Sequence, residues 1–320
     1  MKHWSRRGAL AWLLWPVSLL FGVVVFLRKA FTRRRRVGIP VIVVGNIVAG
    51  GSGKTPLVLW IAEHLRANGW HPAIVSRGYP MKIAPPRAVT LVSDPAEVGD
   101  EPVLLARRSG CPVWVGVDRL AAILALRERH PEVDVVVLDD GLQHYRLARD
   151  LEIAVVDARG FGNGFLLPAG PLREPRLRLR FVDAVVSHEA PVSGHAMTLE
   201  GSEFHRMTDS RERRSAADFP GRKVHGVAGI GDPDRFFRHL ARLGLEPLPH
   251  PFPDHHPFRA EELEFGDALP VVLTEKDAVK LRAVARAHWW VLPVTARLDA
   301  AFGDWLTRRL DEFRGRSKAA

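Results

Sequence analysis

Residues 41–56 read VIVVGNIVAGGSGKTP, and this stretch decides the fold. Val41 to Val44 are apolar throughout, as in a strand covered on both faces by helices. Glycines follow at 50, 51 and 53. They free the backbone to turn successive N–H groups inward on phosphate oxygens. Lys54-Thr55 then opens a helical stretch over 54–68, where Leu57, Ile61 and Leu65 recur every fourth residue before Gly69 stops it. The positive end of that helix strengthens the anion site. The predicted cradle is Val48, Ala49, Gly50, Gly51, Ser52, Gly53, Lys54 and Thr55. Lys54 would reach the β- and γ-phosphates of a nucleotide, and the Thr55 hydroxyl would ligate Mg²⁺. Val48 stands where the usual G-x-x-x-x-G-K-[ST] pattern has its first glycine.

Such a site needs a carboxylate at the end of a second core strand, and VDVVVLDDG (133–141) supplies Asp139 and Asp140. Two adjacent acids cannot both point into the core, so one is expected on Mg²⁺, directly or through water, and the other on a helper group. Further β-runs at 71–78, 111–118, 151–158 and 182–189 alternate with helical stretches such as 119–129. The pattern predicts an α/β layered domain with a mostly parallel sheet. Around 190–220 it changes: HAMTLEGSEFHRMT (195–208) reads as a short β-hairpin and the rest is polar. A second α/β stretch follows, ending in a helix to about Phe313. The expected organisation is an anchor at 1–36, a nucleotide-binding domain at 37–190, a linker with a hairpin at 191–220 and a smaller domain at 221–320.

The anchor is read from Gly8 to Leu27, an uncharged run about 30 Å long as a helix, the thickness of a bilayer's hydrocarbon core. Trp4, Trp12 and Trp15 lie toward one end, where indoles favour the headgroup boundary. Arg28-Lys29 follows at once and leaves no small-residue cleavage site. The heavier basic cluster, including Arg33 to Arg36, places the large body in the cytoplasm and is drawn to anionic headgroups. The net charge of +10 sits mostly here: residues 1–36 hold nine basic residues and no acidic one, whereas residues 37–320 hold 37 basic against 36 acidic. A near-neutral body argues against a nucleic-acid binder. One cysteine, Cys111, excludes an internal disulfide and a cysteine-built zinc site.

Other polar clusters fall between elements: SRGY (76–79), VGDEP (98–102), DDGLQHYRL (139–147), FGNGFLLPAGPLREP (161–175), FPDHHPF (252–258) and TEKD (274–277). TEKD differs from the N-K-x-D of a GTP site, and reads either as a segment near the base or as a strand-end turn. With the phosphate loop and apolar N-terminus, these clusters resemble one family over nearly the whole chain: the tetraacyldisaccharide 4′-kinases of lipid A biosynthesis. The resemblance implies a P-loop kinase-like α/β fold with a second, smaller α/β domain on a two-stranded linker. It implies transfer of the ATP γ-phosphoryl group to the 4′-hydroxyl of a lipid A disaccharide precursor, with Mg²⁺, at the cytoplasmic face of the bacterial inner membrane. No nucleic acid and no obligate protein partner are implied. It assigns Lys54, Thr55, Asp139 and Asp140 to phosphate and metal, and Arg173 and Glu174 to their vicinity. Asp100 matches a carboxylate that activates the sugar hydroxyl and His255 its histidine partner, with His256 adjacent. SRGYP carries Pro80 where the family has glycine. Two other classes share the phosphate loop: a membrane-associated nucleotide hydrolase switching a protein partner, and a membrane-tethered scaffold holding nucleotide for stability.

Overall fold

The computed structural model describes residues 4–51, 53–78, 83–189 and 193–319, with side chains to 314. Ser52 and Pro80 lie outside the described residues. The chain runs through α1 (Ala9–Phe31), β1 (Val41–Gly45), α2 (Lys54–Ala67), β2 (Pro72–Ser76), β3 (Arg87–Val89), α3 (Pro95–Val98), α4 (Asp100–Ser109), β4 (Val113–Val115) and α5 (Arg119–Arg129). It continues with β5 (Val135–Asp139), β6 (Leu151–Asp157), β7 (Ala184–His188), β8 (His195–Glu200), β9 (Phe204–Arg206), β10 (Arg213–Arg214) and β11 (Lys223–Ala228). The remaining elements are α6 (Pro233–Arg242), β12 (Glu246–Pro251), β13 (Val271–Thr274), α7 (Glu275–Leu281), β14 (Trp289–Leu292), β15 (Thr295–Leu298) and α8 (Ala300–Ala319).

Two sheets result. The first has the order β15-β8-β7-β6-β1-β5-β2-β4-β3, parallel except at its edge strands β15 and β3. Strand β1 sits between β5 and β6, so the chain winds outward from it in both directions. In such sheets the crevice at the carboxyl ends of the strands beside the reversal receives ligands. The second sheet has the order β10-β9-β14-β13-β11-β12, its four central and edge strands β14, β13, β11 and β12 running parallel.

The strands are buried on both faces because their residues divide between two cores. Val135 and Val137 pack with Leu57, Ile61 and Leu65 of α2, while Val136 and Leu138 pack with Ile123 and Leu126 of α5. The even spacing that makes β5 apolar throughout thus serves two helical layers.

The predicted 195–208 hairpin does not form. Met197 packs in the core of the first sheet and Phe204 in that of the second, so the two apolar runs flanking Gly201 serve different sheets. Strand β8 pairs with β7 and β15, and a hairpin forms further on, between β9 and β10. The smaller unit also ends sooner than the 221–320 reading. Beyond Pro293 the chain returns to the first sheet as β15, and α8 lays Phe302, Leu306 and Leu310 into the core beside Leu57 and Ile61. The two crossings run side by side, so close that a Cβ on Gly201 would collide with the Pro293 carbonyl. Paired with β15 on one side and β14 on the other, this ribbon is the only strand connection between the sheets among the described residues.

Truncating Leu306 to alanine should destabilise the larger unit by about 2–5 kcal/mol. Hydrogen exchange should quicken in β1 and β5 but not in β11 and β13. Loss of protection in the second sheet alone would contradict this placement of α8.

Candidate active site

The cradle stands where β1 ends. Pairing in register sets Val44 opposite Asp139, so the phosphate loop and the acidic pair leave the sheet at the same level. Gly50 (φ 98°) and Gly53 (φ 79°) take left-handed conformations that other residues resist. Gly53 is the residue preceding α2, and Lys54 begins the helix with its side chain 9% exposed.

Asp139 lies on the face of β5 shared with Val135 and Val137, toward α2. Ser76 donates a hydrogen bond to its Oδ2 at 3.1 Å. Oδ1 is buried with no hydrogen-bond partner among the described residues. Burial, then the charge of Glu101, pushes this carboxyl upward against the pull of Lys54. Asp140 departs from the strand with φ 51°, which swings its side chain to the other side of the turn. There Lys54 Nζ stands 3.6 Å away and Arg173 Nη1 at 3.1 Å. Burial disfavours the charge of Asp140, but Lys54 and Arg173 outweigh it and hold the carboxyl down at about 2. The backbone turn resolves how two neighbouring acids take two environments.

Arg173 arrives on the 161–174 loop, which pairs with the cradle's entry. Ala49 N donates to Pro171 O at 2.8 Å and Arg173 N to Ile47 O at 2.7 Å. Glu174, next in sequence, is buried; Gln143 donates to its Oε1 at 2.8 Å and Arg178 stands 3.4 Å from Oε2. Gln143 and Ser76 were not singled out in the sequence, although both lie inside the DDGLQHYRL and SRGY clusters. Arg159 was missed as well: it pairs with Asp157 at 2.6 Å and donates to the Gly51 carbonyl in the cradle. Isolated arginines carry no pattern that sequence reasoning could use.

Across the cleft, Asp100 opens α4 after Gly99 (φ 95°) and is buried. His255 places Nδ1 at 3.0 Å from both its oxygens. Burial raises the Asp100 carboxyl, but the histidine hydrogen bond and Lys276 carry it below its ordinary value. Burial also lowers His255, and the bond to Asp100 overcomes it, so the imidazole is raised. His255 itself sits at φ 61°. His256 turns away to Glu262 at 3.1 Å. TEKD is more than a strand-end turn: Thr274 caps α7, and Lys276 bridges Glu101 at 3.0 Å and Asp254 at 2.9 Å, with His255 Nε2 at 3.4 Å. Desolvation disfavours the ammonium, but Glu101, Asp100 and Asp254 together push Lys276 upward.

The two halves face one cleft of about 150 Å³, lined by Gly51, Gly53 and Thr55 on one side and Glu101, Ile230, Asp232 and Lys276 on the other. At its floor Gly231 approaches Gly51 so closely that a Cβ on Gly231 would sit 3.0 Å from the Gly51 nitrogen. Lys54, Asp139, Asp140 and Arg173 thus form one cluster and Asp100 with His255 another, and the cleft is lined by Thr55 next to the first and by Glu101 and Lys276 next to the second. No group of three or more His, Cys, Asp or Glu side chains able to cage a metal occurs among the described residues. The Thr55 hydroxyl, the bare oxygen of Asp139 and the carboxylate of Glu174 offer oxygen donors only. That suits Mg²⁺, which takes one or two carboxylates and completes its shell with phosphate and water.

A glycine cradle at the end of β1, cationic side chains beside it and a carboxylate–imidazole pair whose neighbours line the same cleft define a P-loop phosphotransferase. The comparisons agree at the level of family. The model of the family Tetraacyldisaccharide-1-P 4'-kinase matches residues 10–311. Tetraacyldisaccharide 4'-kinase of Azoarcus sp. (strain BH72) is 50% identical, covering 98% of this chain and 96% of that protein. The protein of the same name from Alkalilimnicola ehrlichii is 53% identical over 93% and 92%. The crystal structure of LpxK from Aquifex aeolicus in complex with ATP superposes with a TM-score of 0.77 at 28% identity, covering 94% of this chain and 99% of that one. The chain belongs to the tetraacyldisaccharide 4'-kinase family.

Replacing Asp100 by asparagine removes the charge that most raises His255 and leaves its burial, Lys276 and the smaller pull of Asp254. The imidazole should then titrate lower than in the parent, as read by NMR of the ring protons. A value unchanged from the parent would break the proposed pairing.

Proposed function

We propose that this chain phosphorylates the 4′-hydroxyl of a tetraacyldisaccharide 1-phosphate with ATP, a step of lipid A biosynthesis. The observation that supports the mechanism is the cleft that Gly51, Gly53 and Thr55 of the cradle share with Glu101 and Lys276, the immediate neighbours of the buried Asp100–His255 pair. The backbone N–H groups of the cradle and Lys54 hold the β- and γ-phosphates, and Arg173 spreads positive charge toward the transferring group. Phosphoryl transfer asks chiefly for positioning and charge stabilisation of this kind. Thr55, Asp139 and Glu174 would hold Mg²⁺, which when bound neutralises charge between the β- and γ-phosphates. Asp140 keeps Lys54 and Arg173 aligned from behind.

The acceptor oxygen attacks the γ-phosphorus as the bond to the β,γ-bridging oxygen breaks, releasing ADP. The proton of the 4′-hydroxyl passes to Asp100. A carboxylate held below its ordinary range is a weak base, which suits a loose transition state where the proton departs late. His255, donating from Nδ1, fixes the orientation of that carboxylate and relays the proton onward.

The acyl chains of such a substrate stay in the bilayer, since exposing each CH₂ costs about 0.8 kcal/mol. Helix α1 is long and apolar enough to cross a membrane, and Leu13, Phe26 and Phe31 on it are exposed. Exposed Arg33 to Arg36 follow it, a charge arrangement that attracts anionic headgroups. These features support attachment to the cytoplasmic face of the bacterial inner membrane.

Full-length protein in detergent with Mg-ATP and the monophosphorylated disaccharide should give a product heavier by one phosphate, absent with Lys54→Ala, as read by mass spectrometry. ATP hydrolysis indifferent to lipid, with no such product, would replace this reading by a nucleotide switch. Asp100→Ala should lower turnover by about 10²- to 10⁴-fold while the KM for ATP stays within about twofold. An equal loss in both would remove Asp100 from proton transfer. Deleting residues 1–36 should impair action on lipid in membranes more than ATP binding.

A further inference from the structure

Ser18 is 2% exposed on a helix whose other faces are largely open. It belongs to a narrow buried stripe with Ala11, flanked by half-buried Leu14, Gly22 and Val25. Its hydroxyl donates to Leu166 O at 2.8 Å and accepts from Ala169 N at 3.0 Å. Gly22 completes the fit, since a Cβ there would lie 2.8 Å from Leu166 Cδ1. The amino end of the chain grips the same loop. Asn163 N donates to Trp4 O at 2.7 Å, Trp4 Nε1 to Pro168 O at 3.1 Å, and Arg7 Nε to Asn163 O at 3.0 Å. The segment from Trp4 to Gly22, with the first half of helix α1, is therefore fastened to residues 163–169.

That loop is internally stiff. Leu167 N donates to Leu172 O and Leu172 N to Phe165 O, while the Asn163 side chain holds both Phe165 N and Ala169 O. Its far side carries the bonds to the cradle at Ile47 and Ala49, and its next residue is Arg173. Three residues, 170–172, thus separate the Ala169 amide held by the Ser18 hydroxyl from Arg173, whose guanidinium pairs with Asp140.

We infer that Ser18 is a positioning residue for phosphoryl transfer, setting Arg173 and the cradle's entry through the 163–172 loop. This rests on the kinase reading above. Helix α1 is then part of the catalytic scaffold as well as an anchor, and its seating is communicated to the guanidinium through backbone hydrogen bonds. Removing the hydroxyl strands a buried N–H, a defect large enough to shift the loop.

The test is a double-mutant cycle on full-length protein in phosphatidylethanolamine–phosphatidylglycerol vesicles, measuring kcat, the KM for ATP and vesicle binding by flotation. Ser18→Ala should lower kcat about tenfold, with the KM for ATP and vesicle binding within about twofold. In an Arg173→Ala background the same change should cost less than about twofold, because the group it positions is gone. Leu20→Ala, on the lipid-facing side, should leave kcat as in the parent. If Ser18→Ala melts early, Gly22→Leu, which pushes Leu166 away without touching the hydroxyl, supplies the same cycle. Equal losses in both backgrounds, a loss matched by lost vesicle binding, or the same loss from Leu20→Ala would each overturn the inference. Absence of lipid phosphorylation by the parent protein would instead overturn the kinase reading.

Discussion

Two adjacent carboxylates at the end of a buried strand are the constraint around which the larger unit is arranged. A desolvated negative charge costs several kcal/mol unless cations or donors face it. Asp139 and Asp140 meet this need from three directions: Lys54 from the helix after the cradle, Arg173 from the 161–174 loop and Ser76 from β2, while the turn at Asp140 parts the two carboxylates. Each partner lies on a different segment. The electrostatic requirement therefore draws together the segments that a phosphate-transfer site needs, and leaves one Asp139 oxygen without a hydrogen-bond partner among the described residues.

The second cluster solves a different problem, that of holding a charged pair across two units. Asp100 belongs to the first sheet's α4, and His255 and Lys276 to the smaller unit. The bonds that join them are charge-assisted, directional and few. Because the ribbon through Gly201 and Pro293 is narrow, these side chains, together with Val279 of α7 packed into the first sheet's core and the Arg108–Glu275 pair, fix how the two units meet.

Much of this was legible in the sequence where one residue type has one use. Every strand from β1 to β7 except the short edge strand β3 falls within a predicted apolar run, and helices 54–67 and 119–129 match their periodicity. The cradle was readable because only glycine at 50 and 53 permits the left-handed turns found there. The partnership of Asp100 and His255, 155 residues apart, came from resemblance alone, since nothing local encodes it. The hairpin at 195–208 was misread because alternation reports that a strand has a buried face, not which sheet covers it. The same reason hid α8: Phe302, Leu306 and Leu310 specify an amphipathic helix but not its partner. Ser18 was invisible as a contact, being one polar residue in an apolar helix.

The return of the chain to its first sheet has a consequence for biosynthesis on the ribosome. Residues 204–292 can pair all six strands of the smaller sheet as soon as they emerge. The larger sheet cannot: β8 lacks its outer neighbour, and the layer over α2 lacks Phe302, until residues 295–310 have been made. The nucleotide cradle, encoded near residue 50, is thus among the first segments translated and among the last to gain its full packing. A nascent chain stalled before that point presents an apolar groove along α2 to chaperones rather than a working cleft to ATP.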